Sequence, residues 1–79
     1  MTNDFTKTLN RQQLKRALRM FYGNTRNLKY AYETVDASVS NNWEGVHHVC
    51  PSTDGYFSFT YKGNKQFKCS TTYSELLRV

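Results

Sequence analysis

The hydrophobic residues of this chain change their spacing near its middle, and that change limits the possible folds more than any other feature. Before residue 40 they recur every three or four positions, as on one face of a helix. Leu14, Ala17, Leu18 and Phe21 form one such set, and Leu28, Ala31, Tyr32 and Val35 form another. From Gly45 onward apolar and polar residues alternate, as on half-buried strands, in GVHHVC, GYFSFTY and KQFKCSTT. A helical first half followed by short strands is the pattern of an α+β domain. The expected architecture is one or two N-terminal helices packed on a three-stranded antiparallel meander, with a short C-terminal helical turn. The 79 residues are expected to form a single domain. It divides into a flexible terminus at 1–8, a helical part at 10–40, a sheet at 44–72 and a short helix at 73–79.

Local signals place the first helix firmly. Asn10 is a good N-cap, Gln13 stands at N3 as a capping-box partner, and Leu9 and Leu14 are spaced as a hydrophobic staple. Gly23, followed by Asn24, supplies the permissive residue that ends helices. The following segment carries two signals. Leu28, Tyr30 and Tyr32 alternate as a strand would, while Leu28, Ala31, Tyr32 and Val35 keep the helical period over two turns. The alternation breaks at Val35, which favours helix. Asp36 to Asn42 then reads as a polar exit loop that closes at Trp43.

The strands are punctuated by Pro51-Ser52-Thr53-Asp54-Gly55 and by Lys62-Gly63-Asn64-Lys65. A two-residue Gly-Asn loop in the second turn would mix polar and apolar residues on both faces. A three-residue loop, Lys62-Gly63-Asn64, sets Phe59 opposite Phe67 and Phe57 opposite Cys69. It gathers Phe57, Phe59, Tyr61, Phe67 and Cys69 on one face, so burial selects this parity. Asn64 then takes the left-handed position of the loop. Thr72-Tyr73-Ser74-Glu75 reads as a capping box before Leu76 and Leu77.

Few groups are available for chemistry. Only two cysteines occur, Cys50 and Cys69, on strands that flank a third, so they fall beyond disulfide reach. His47 and His48 point to opposite faces of a strand, and the four-ligand pattern of a structural zinc site is absent. Asp4, Glu33, Asp36, Glu44, Asp54 and Glu75 are scattered, with no pair placed for acid–base work. No phosphate-binding glycine loop or nucleophile motif occurs. The expectation is a protein that is not an enzyme and carries no cofactor or metal. Aromatic residues make up 15% of the chain, too many for a disordered one. No stretch is long and apolar enough for a membrane span, and the N-terminus lacks the apolar run of a signal peptide, so the expected setting is cytoplasmic.

Charge points to a partner. The net charge is +5, and residues 7–29 hold Lys7, Arg11, Lys15, Arg16, Arg19, Arg26 and Lys29 without an acid. At about 100° per residue, Arg11, Lys15, Arg16 and Arg19 share one arc of the first helix, opposite its apolar face. Arg11/Lys15 and Lys15/Arg19 are like-charge i, i+4 pairs, a local cost that suggests a binding surface. If the second segment is a helix, the short FYGNT connection resembles the tight turn of a helix-turn-helix, after which Arg26, Asn27, Lys29 and Tyr30 would reach phosphates and base edges. The hairpin lysines Lys62, Lys65 and Lys68 would then form a wing. The stretch from Gly45, with GYFSFTYKGNK and the Ser/Thr-rich run into Ser74-Glu75, resembles the three-stranded DNA-reading sheets of AP2-type and integrase arm-binding domains. That likeness covers less than half of the chain and implies a sheet that faces DNA. The expected function is a small basic module that contacts nucleic acid through the basic face of its first helix. The alternative is a phage or mobile-element protein that inhibits a host antiviral defence complex. In that case an acidic protein surface meets the arginines, Trp43 and the tyrosines act as anchors, and the protein works as a homodimer.

Overall fold

The computed structural model describes residues 4–79. The chain runs β1 (Phe5–Asn10), α1 (Arg11–Tyr22), α2 (Arg26–Asn41), β2 (His47–Pro51), β3 (Tyr56–Tyr61), β4 (Gln66–Thr71) and a 3-10 turn, Ser74–Leu77. The fold is α+β, with a four-stranded antiparallel sheet in the order β1-β4-β3-β2. The expected meander β2-β3-β4 is present, and a fourth strand is added to it.

That strand corrects the reading of residues 1–8 as a flexible terminus. Phe5–Asn10 pairs along its whole length with β4, from Phe5 opposite Thr71 to Asn10 opposite Gln66. Residues 1–3 of the expected flexible terminus lie outside the described residues. Leu9 is fully buried, and the inward-pointing Lys7 sends its Nζ to the Leu77 carbonyl at 2.9 Å. This edge lysine therefore serves the last carbonyls of the C-terminal turn instead of entering the core.

α1 starts directly from β1. The Asn10 side chain accepts from the Gln13 N–H at 2.9 Å, and Gln13 Oε1 accepts from the Asn10 N–H at 3.0 Å, which completes the capping box. Leu9 and Leu14, the staple pair, are both fully buried. Gly23 ends the helix at φ 68°, its N–H returning to the Arg19 carbonyl.

The second segment is helical, and it runs further than expected. Asp36 to Asn41 continues α2 instead of forming an exit loop. Ser38 can be buried because its hydroxyl donates to the Thr34 carbonyl at 2.7 Å, and Val39 packs on the core one turn after Val35. Asn42, at φ 50°, supplies the left-handed cap.

The β3–β4 hairpin has the expected faces and a shifted loop. Phe59 lies opposite Cys69 and Tyr61 opposite Phe67, so the three-residue loop is Gly63-Asn64-Lys65 and not Lys62-Gly63-Asn64. A shift of two positions preserves the parity, which is why the apolar face is the expected one. All three loop residues have positive φ. Gly63 is buried beneath Glu44, and a Cβ there would run into the Glu44 carboxylate. Gly63→Ala is therefore expected to cost roughly 1–2 kcal/mol. That lowers the melting temperature by about 4–8 °C per kcal/mol in a domain of this size, measured by thermal unfolding.

The anticipated capping box at Thr72 does not form. Thr72 Oγ1 accepts from the Tyr56 N–H at 3.1 Å, which uses the threonine to close the sheet, and the turn that follows is 3-10. Its Leu76 and Leu77 are buried against α1, β1 and β4. Phe57, Phe59 and Phe67 are fully buried at the centre of the sheet and, with the apolar stripes of α1 and α2, form one core. Both helices lie on that face. The other face carries Thr6, Ser58, Thr60, Lys68 and Ser70 and has no layer over it.

Candidate partner-binding surface

The basic arc of α1 divides into two parts with different roles. Arg11 and Lys15 face α2 and converge on Asp36. Arg11 Nη2 lies 2.5 Å and Nε 3.0 Å from Asp36 Oδ1, and Lys15 Nζ donates to Oδ2 at 3.1 Å. Burial pushes the Asp36 carboxyl up, but the hydrogen bonds from Lys15 and Arg11 outweigh it and hold the carboxyl below its usual range. Lys15 also lies 5.0 Å over the Tyr32 ring, while the Tyr32 hydroxyl donates to the Lys15 carbonyl at 3.1 Å. The like-charge spacing of Arg11 and Lys15 is thus offset by an acid on the neighbouring helix. These two cations tie α1 to α2, so the reading of Arg11 and Lys15 as a local cost that suggests a binding surface is corrected. Their side chains are 41% and 29% exposed, so solvent screens the pair and its contribution to stability is modest. The signal that pointed to Asp36 was Val39, which extends the apolar stripe past it.

The second part faces solvent. Arg16 and Arg19 are exposed, and among the described residues the salt bridges are those of Arg11 and Lys15 alone. The contacts Arg11–Asp36 and Lys15–Tyr32 step four residues along each helix in opposite directions. The short Gly23–Thr25 link joins the end of α1 that carries Arg16 and Arg19 to the start of α2, which carries Arg26 and Lys29; Arg16 and Arg19 border a shallow concavity with Met20 and Val79. All four are exposed. Tyr30 and Glu33 share a shallow concavity with Arg26 and Lys29. The first turn of α2 contains no acid, and its N-cap Thr25 makes no side-chain hydrogen bond to the leading N–H groups. The positive end of the helix thus adds to the local field.

The hairpin lysines do not join this surface. Lys62 precedes the β3–β4 loop and Lys65 is its last residue, at the end of the sheet where α1 begins. Lys68 lies opposite Thr60 and Thr8 on the face turned away from the helices. The expected wing beside the second helix is not assembled.

Of the other reactive groups, the two cysteines lie in the core. Cys50 lies opposite Phe57 and Cys69 opposite Phe59; both are buried and free. Burial pushes the Cys69 thiol up to about 12 and raises that of Cys50 as well. Tyr22 is raised by burial and by its hydrogen bond with Cys50. Burial, followed by the proximity of His47, lowers His48. Among the described residues no three His, Cys, Asp or Glu side chains cluster as metal ligands, and no helix is long and apolar enough to cross a membrane. No family model, curated protein or solved structure matches this chain.

Proposed function

We propose that this protein is a non-enzymatic nucleic-acid-binding module that takes phosphates on the outer surface of its α1–α2 hairpin. The observation that carries the reading is the set of four exposed cations on the hairpin, Arg16 and Arg19 of α1 and Arg26 and Lys29 of α2. These four cations are free of salt bridges, and Arg26 and Lys29 belong to a first turn of α2 that carries no acid. Arginine forks and open helix N–H groups both suit phosphate oxygens. Compared with the whole basic arc of the first helix, this surface loses Arg11 and Lys15 and gains the first turn of α2.

The test is titration of labelled duplex and single-stranded DNA at falling salt concentration. Binding tighter than about 10⁻⁴ M at physiological salt, steepening as salt falls, is expected. Weaker binding on both substrates would contradict the reading. It would favour the second one, a protein that docks on and inhibits a host complex. The observation favouring that alternative is an apolar groove lined by Tyr30, Ala37, Trp43 and Val46, in which Tyr30 is 62% and Trp43 54% exposed.

A further inference from the structure

The open edge of β2 belongs to the part of the molecule that carries no positive charge. Residues 30–61 contain no lysine or arginine, although the chain as a whole is +5. β2, with the sequence HHVCP, lies within that stretch and forms one edge of the sheet. Tyr61 donates its N–H to the Val46 carbonyl at 2.9 Å. Following the antiparallel alternation from that bond, His48 and Cys50 turn their backbone groups toward β3, and His47 and Val49 turn theirs to the open side. Val49 is 50% exposed. The other edge, β1, is different in kind: it carries Lys7 and lies against the C-terminal turn.

An exposed, uncharged edge strand is a template for another strand, and sheets usually protect such edges with charge or proline. Here the protection is limited to Pro51, the last residue of β2. We infer that β2 pairs antiparallel with β2 of a second copy, Val49 opposite its counterpart, to form a homodimer with one continuous eight-stranded sheet. The occupant is a second copy because two +5 chains repel wherever their basic surfaces approach, and this edge is where they meet without a lysine or arginine on either side. In this register the two Val49 residues exchange both backbone hydrogen bonds, and each His47 N–H meets a Pro51 carbonyl. The exposed valines cover each other. The two-fold axis of an antiparallel pair is perpendicular to the sheet, so both helical hairpins stand on the same side. The inference concerns the sheet edge and holds whatever the basic surface binds.

The test is sedimentation of the intact protein, with two variants. The wild type is expected to sediment at twice the chain mass, and Val49→Lys at the mass of one chain with an unchanged far-UV circular dichroism spectrum. Should Val49→Lys fail to fold, Val49→Cys decides the matter. Mild oxidation is expected to convert it to a covalent dimer, while Thr6→Cys on β1 stays uncoupled. A monomeric wild type would overturn the inference. So would a dimer that survives Val49→Lys, or a Val49→Cys protein that links no faster than Thr6→Cys.

Discussion

Replacing Arg16 and Arg19 together by glutamate is expected to weaken duplex binding by about 100-fold or more while leaving the melting temperature nearly unchanged. Both side chains are exposed and neither makes a salt bridge, so the fold does not depend on them. Each reversal removes a phosphate contact and places an anion facing the polyanion. Lys15→Glu should behave in the opposite way. It sets a carboxylate against Asp36 and removes the cation above Tyr32, so it lowers stability and affects binding only through the fold. Parallel titration and thermal unfolding of the two variants separate these outcomes. If Lys15→Glu abolished binding at full stability, or the double reversal left binding intact, the division of the basic arc proposed here would be wrong.

Phe59→Ala is expected to be the most damaging single truncation, at about 3–5 kcal/mol. Phe59 is fully buried in β3, which pairs on both sides. Its ring meets Phe67 edge-on at 5.8 Å between centroids and lies 5.2 Å from His48. A domain this small has little stability in reserve, so the variant should be largely unfolded near physiological temperature. Denaturant unfolding followed by circular dichroism measures the loss. A cost below about 1 kcal/mol would mean that the centre of the sheet is not the core.

Where the sequence was legible, several local signals agreed. At the start of α1, cap, capping-box partner, staple and apolar stripe all named the same residue, Asn10. β1 was hidden because its inward positions are Phe5, Lys7 and Leu9, and the lysine breaks the alternation that marks a strand. A lysine is tolerated there because it stays exposed on an edge strand and donates to the Leu77 carbonyl. In the hairpin, burial fixes parity but not position, so the apolar face was readable and the loop was not. In the observed position Gly63, Asn64 and Lys65 all take positive φ, and Gly63 lies beneath Glu44, which is distant in sequence. The polar residues at the end of α2 have the composition of a loop, although Ser38 and Asp36 find partners within the helical layer. The basic arc was visible as charge. Its division into structural and exposed parts depended on Asp36, twenty-five residues from Arg11.

The central claim is that the hairpin's exposed cations meet phosphates. The most direct measurement is the salt dependence of duplex affinity for single alanine variants. Wild type should give a linear log–log plot, and Arg16→Ala, Arg19→Ala, Arg26→Ala and Lys29→Ala should each lower its slope by about 0.9. Arg11→Ala, which removes a cation already held by Asp36, should leave the slope unchanged. Slopes equal to that of wild type for the four variants, or a reduced slope for Arg11→Ala, would contradict the account.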